Sequence, residues 1–193
     1  MFSERDMGAR KSVRREDILI AAEKILTERG EGAVCARSIA REIGCSTQPI
    51  YDAFSGMEEV RRALIARAAD TYSRVTEEIA AEGKYPAYKC MGMAYVRFAR
   101  LYPNMFRMLF MDNGEAVGAT VGEDMVTEAA KRISASTGMS LERARKFHYT
   151  MWISIHGMGV FAVTGYLKLT EDEISEILTE IYRGLLHVNG MDV

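Results

Sequence analysis

Apolar residues recur at spacings of three and four along nearly the whole chain, the period of a helix with one buried face. Ile18, Ala21, Ala22, Ile25 and Leu26 share such a face, predicting a first helix over about 13–29 that Gly30 and Gly32 end. A second helix is expected at 36–43, stopped by Gly44, and a third that Ser46 caps and Phe54-Ser55-Gly56 closes. Pro49 fits the first turn of that third helix, where its missing amide has no intrahelical partner anyway. A long fourth helix, about 57–82, carries Val60, Leu64, Ala68, Tyr72, Val75 and Ile79 on one face. Glu58 and Glu59 stand in its first turn, where the helix dipole favours acids.

Gly83 and Pro86 mark the next junction, and Pro86 suits the first position of a helix over 87–101. Beyond Tyr102-Pro103 a short helix reaches Met111, Asp112-Asn113-Gly114 is a break, and a helix carrying Gly118 and Gly122 spans about 115–136. Ser140 caps and Gly165 ends a helix at 141–164, and a Thr170–Glu173 capping box opens a last one to about His187. Strand-length alternation of β-branched residues is absent, so the expected fold is all-α, with about nine helices. A helix-turn-helix domain over 1–56 and a larger helical domain over 57–193 are expected, with the border near Met57 to Arg67 inside a shared helix.

Composition narrows the classes. With 48% hydrophobic residues the chain has material for a sizeable core. No apolar run approaches the roughly 18 to 20 residues of a membrane span. The mixed-charge start, Met1-Phe2-Ser3-Glu4-Arg5-Asp6, is no signal peptide, so a cytoplasmic protein with no membrane partner is expected. Cys35, Cys45 and Cys90 are odd in number and lack Cys-x-x-Cys spacing, which argues against a disulfide framework or zinc. Cys35 and Cys45 leave a redox switch open beside the plainer reading of small buried thiols. The net charge of −2 is unhelpful for a nucleic-acid binder, and its distribution matters more. Arg10, Lys11, Arg14 and Arg15 form a basic arm before the first helix, and Arg37 and Arg41 follow on the second. Such a cluster can neutralise phosphates within an acidic protein.

Two short helices joined by a glycine-containing turn, the second opening with polar side chains, match a helix-turn-helix whose second helix enters the major groove. An ordinary αα-corner of a helical protein fits the same pattern. Ile39, Ala40, Ile43, Ile50 and Phe54 are expected inside, with Thr47, Gln48 and Tyr51 outside. Gln can pair bidentately with adenine, and Thr can bond a base or touch a thymine methyl. A tyrosine hydroxyl and the amides at the helix start suit phosphates. There is no Gly-rich phosphate loop, nucleophile elbow or His/carboxylate cluster, so no catalytic residues, cofactor or metal ligands are expected.

Leu19, Ala21-Ala22 and Gly30, then Arg37-Ser38-Ile39-Ala40 and Gly44-Cys45-Ser46, then Ile50-Tyr51 and Phe54, resemble the amino-terminal signature of the tetracycline-repressor (TetR) family. The resemblance covers roughly residues 13–65, and the nine-helix layout agrees with it throughout. It implies a transcriptional regulator, by family default a repressor, that binds a double-stranded palindromic DNA operator as a homodimer and is released by a small-molecule effector. Arg10, Lys11, Arg14, Arg37, Ser46, Thr47, Gln48, Pro49 and Tyr51 become the candidate DNA-binding residues. Three departures stand out: Cys35 where the family often has a capping Thr, Ala53 where it often has His or Tyr, and Met57 where it usually has Lys. They imply fewer phosphate contacts and greater reliance on the basic arm. The competing reading is a family fold with weakened DNA contacts that acts mainly through protein partners.

For the carboxy-terminal half the resemblance implies that the last two helices pair with their copies as a four-helix bundle. Gly157, Val160 and Phe161, with Ile153 and Thr164, and then Ile174, Ile177, Leu178, Ile181 and Leu185 offer the apolar stripes. Gly157 and Gly159 cost about 1 kcal/mol each against Ala in a helix, and close helix approach is the expected compensation. Trp152, His156 and Gly157 resemble a Trp-His-Gly motif of one subgroup. His148 and His156, eight apart, would need further ligands to hold a metal. Tyr88, Met91, Tyr95, Phe98, Met105, Phe106, Phe110, Met111, Met151, Trp152 and His156 supply rings and adaptable thioethers. By themselves they read as core. With the family's expectation of an effector cavity they become the candidate pocket for an apolar or aromatic molecule.

Overall fold

A computed structural model describes residues 13–111 and 123–191. Among these residues there are nine α-helices and no strands. They are α1 (Arg15–Arg29), α2 (Ala36–Ile43), α3 (Gln48–Ala53), α4 (Met57–Ala81), α5 (Ala87–Leu101), α6 (Pro103–Phe110), α7 (Glu123–Thr137), α8 (Leu141–Thr164) and α9 (Glu171–Val188), with a 3-10 turn at Glu31–Ala33. Arg10, Lys11, Gly118 and Gly122 lie outside the described residues, as do 112–122 as a whole. No described helix is long and apolar enough to cross a membrane. The chain forms two compact units, 1–64 and 65–193, with α4 running through the division.

The helix ends follow local chemistry. Thr170 Oγ1 accepts the Glu173 amide at 3.2 Å, while the Thr170 amide reaches Glu173 Oε2 at 2.6 Å, closing the capping box. Ser140 Oγ accepts the Arg143 amide, and Gly165, at φ 69°, ends α8 in the left-handed region. Pro86 stands one residue before its expected place, as the cap of α5, and its carbonyl accepts the Cys90 amide at 3.0 Å. Pro103 takes the first position of α6 instead.

The first unit is built on an aliphatic core, with Ile18, Ile25, Leu26, Ile39, Ile50 and Leu64 at most 1% exposed. The second is organised around α5, whose Met93, Tyr95, Val96, Phe98 and Ala99 are buried. Gly159 lets α8 lie against this helix. A methyl group there would stand 2.7 Å from Phe106 Cζ and 3.0 Å from Tyr95 Cε1. Gly157, two residues earlier, has open space where its side chain would be. The expected compensation for helical glycine therefore operates inside the chain at Gly159.

Candidate DNA-binding helix-turn-helix

At the start of α2, Ser38 Oγ accepts the Cys35 amide at 3.0 Å and donates to the Ala33 carbonyl at 2.7 Å. Ser38 thus satisfies the amide of the cap residue itself, the reciprocal half of a capping box. The helix ends where Gly44 turns left-handed (φ 81°, ψ 36°), with the amides of Gly44 and Cys45 both on the Ala40 carbonyl. That reversal aims the chain into α3. The residue capping α3 is Thr47 rather than Ser46, and no side-chain oxygen serves the cap, so the turn geometry and Pro49 set the helix start. Ile39, Ala40, Ile50 and Phe54 are buried as expected, whereas Ile43 is only half-buried. As the last residue of α2, Ile43 stands beside the exposed Gly44.

Of the candidate residues within the described chain, all but Arg14, which caps α1, fall between Arg37 and Tyr51. Arg37, Ser46, Gln48 and Tyr51 are exposed, and Thr47 and Pro49 half-buried. Tyr51 is 54% exposed, a large ring left in water on a six-residue helix. Gln48 Nε2 donates to Asp52 Oδ1 at 2.8 Å. Asp52 therefore orients the exposed Gln48 amide and engages one of its N–H groups, a role beyond the negative charge it adds. The i,i+4 spacing carried that signal.

The cations divide into two kinds. Arg37 and Arg41 are exposed and make no ion pair among the described residues. Arg14 is held bidentately by Asp17, whose oxygens also accept the Arg14 amide. Arg15 is structural. Its Nη1 donates to the Ala53 carbonyl at 3.1 Å and to Glu59 Oε1 at 2.9 Å, and its guanidinium lies 4.0 Å from the Phe54 ring centroid. Glu59 in turn accepts the Ser55 amide and hydroxyl, so α1, the end of α3 and the start of α4 are tied together. The Ser55 amide, then Arg15, hold the Glu59 carboxyl down at about 2. Partners 38 and 44 residues away gave no sequence signal for Arg15.

In the second unit Tyr95, Phe98, Met105, Phe106 and Phe110 are buried, with Trp152 and His156 half-buried against them and Met111 exposed. The Tyr95 ring centroid lies 4.7 Å from Phe110 and 5.0 Å from both Phe106 and Trp152. The Tyr95 hydroxyl meets His156 Nδ1 at 2.8 Å, and earlier on the same two helices Tyr88 meets His148 Nδ1 at 3.1 Å. Burial lowers both histidines' pKa and raises both tyrosines', so each pair is a hydrogen bond between neutral partners whose direction the imidazole tautomer sets. Among the described residues no three His, Cys, Asp or Glu side chains gather as metal ligands. Tyr88, Met91 and Met151 line clefts instead of the ring cluster: one of about 370 Å³ between α5, α7 and α9, another of about 270 Å³ between α5, α8 and α9. Of the candidate interface residues, Ile174 and Leu178 are buried within the chain. Gly157, Val160, Ile177, Ile181 and Leu185 are half-buried, and Phe161 is exposed.

Residues 89–185 match the model of the tetracyclin repressor-like C-terminal domain. Over 161 residues the chain is 25% identical to an uncharacterized HTH-type transcriptional regulator of Mycobacterium tuberculosis, covering 79% of this chain and 72% of the relative. The helix-turn-helix of the first unit and the domain match of the second agree. The chain belongs to the tetracycline-repressor (TetR) family of transcriptional regulators.

Proposed function

We propose that this protein is a repressor that binds a palindromic operator as a homodimer, is released by a small apolar or aromatic effector, and performs no catalysis. The carrying observation is the surface of α2 and α3. Gln48 and Tyr51 stand in water on a helix fixed by a buried core, and the preceding helix carries the exposed Arg37 and Arg41, whose charges no acid in the described residues neutralises. Base edges and phosphates are the partners that satisfy such a set.

A dimer is supported by the outward face of α8. Ile153 is 70% and Phe161 39% exposed, and Gly157 between them leaves room for another backbone. Two-fold pairing lets one short recognition helix read two half-sites. An effector that prefers the protein conformation unsuited to DNA lowers operator affinity by linkage.

The test is a gel shift on DNA flanking the protein's own gene, repeated over a salt series. A retarded band whose affinity falls steeply with salt is expected, and Arg37→Ala should reduce the logarithmic slope by about 0.9 for each phosphate that is no longer neutralised. Removing residues 1–12 should weaken binding further through Arg10 and Lys11. A salt-independent band, or none on any flanking segment, would favour action through protein partners.

A further inference from the structure

The smaller cleft has a chemistry that the ring cluster lacks. Its walls are apolar or aromatic: Tyr88 and Gly92 from α5, Met151 and Ile155 from α8, Leu178 and Tyr182 from α9. Gly92 lets Ile155 and Leu178 pack directly over α5, because a methyl there would stand 3.0 Å from Ile155 Cδ1 and 3.1 Å from Leu178 Cδ1. Tyr88 and Tyr182, with ring centroids 6.0 Å apart, line this cleft and the larger one alike.

One cation enters this setting. Lys89 lines the cleft, is half-buried, and donates to Thr179 Oγ1 at 2.7 Å. The Thr179 hydroxyl donates to the Ser175 carbonyl at 2.8 Å, so Thr179 satisfies one Lys89 N–H without neutralising the charge. No carboxylate pairs with Lys89 among the described residues. Burial, then the nearby cations Arg183 and Lys84, hold its pKa below the usual lysine range. The Tyr85 ring, its centroid 5.3 Å from Lys89 Nζ, attracts the charge without neutralising it, and an anion in the cleft would complete the set.

We propose that this cleft binds a small amphiphilic carboxylate, its carboxylate on Lys89 Nζ and its apolar body against Gly92, Met151, Ile155 and Leu178 beneath Tyr88 and Tyr182. The assignment rests on the effector reading above and adds the ligand's charge to it. At about 270 Å³ the cleft lies just below the usual range of ligand sites, which favours a compact aromatic or short-chain acid.

Calorimetry on the full chain with 4-phenylbutyrate and its uncharged counterpart 4-phenylbutanol tests this directly. The acid should bind about tenfold or more tightly than the alcohol, the worth of one charge-assisted hydrogen bond. Lys89→Met should erase that preference while leaving alcohol binding unchanged, and Lys89→Arg should keep it, with thermal melts checking that each variant is folded. Equal binding of acid and alcohol, a preference that survives Lys89→Met, or no binding of the acid to the wild-type chain would overturn the assignment. Operator release is scored separately. Acid bound with no effect on the operator upholds the site and defeats the effector reading. Release by the alcohol without preferential acid binding does the reverse.

Discussion

Within residues 13–64 the hydrogen-bonding groups that matter stand in water around an aliphatic core: Gln48, Tyr51, Arg37 and the Arg15–Glu59 tie are all at the surface. Within residues 65–191 the arrangement is inverted. Tyr95 is 1% exposed, encircled by rings, and its hydroxyl faces His156 from inside the packing. The first unit can lose its polar face and keep its fold, whereas the second cannot lose its rings without opening a cavity.

That contrast breaks most visibly at Phe106, which is fully buried. Phe106→Ala should cost about 3–5 kcal/mol in denaturant unfolding, whereas Tyr51→Ala should stay within about 0.5 kcal/mol of wild type. Comparable costs for the two would erase the distinction.

A finer version compares two glycines on one helix. Gly159→Ala forces a methyl into Phe106 and Tyr95 and should destabilise by about 1–3 kcal/mol. Gly157→Ala meets nothing within its own chain and should gain up to about 1 kcal/mol from helix propensity in a monomer. If a second copy packs at that point, light scattering of Gly157→Ala should show weakened association instead.

Arg15 offers the surface counterpart. Arg15→Ala should destabilise the first unit by about 1 kcal/mol, the combined worth of an exposed ion pair and a cation–ring contact. The Glu59 carboxyl, at about 2 when folded against 4.5 ordinarily, contributes stability that is complete above pH 4.5 and lost as pH falls toward 2. An acid melt of Glu59→Gln should be flatter over that window. The smallest change should come from Asp52→Ala. Stability should move by less than about 0.5 kcal/mol, while base preference opposite Gln48 relaxes because the amide loses its orienting partner.

The reach of the sequence follows the same division. Periodicity and caps placed the helices, because Gly44, Ser140, Gly165 and the Thr170–Glu173 pair act over four residues or fewer. The outward set on α3 was legible for the same reason. Misplacements were local: Thr47 rather than Ser46 at the cap, Pro86 one position early, and Ile43 half-buried because its helix ends there. The Tyr88–His148 and Tyr95–His156 pairs, the Arg15 tie and the Lys89–Thr179 bond join residues 38 to 90 apart, and nothing in a one-dimensional pattern marks them. Composition identified the rings of the second unit but could not say which of them pack solidly and which border a cleft.

The proposed function turns on Gln48 and Tyr51 reading DNA. Fluorescence anisotropy of a labelled operator duplex, titrated with wild type and with the Gln48→Ala/Tyr51→Ala double variant at one salt concentration, measures it most directly. A double variant that melts like wild type and binds the operator about a hundredfold or more weakly, down toward its affinity for unrelated DNA, is the predicted result. A folded double variant with undiminished operator affinity would rule out that role for the two residues.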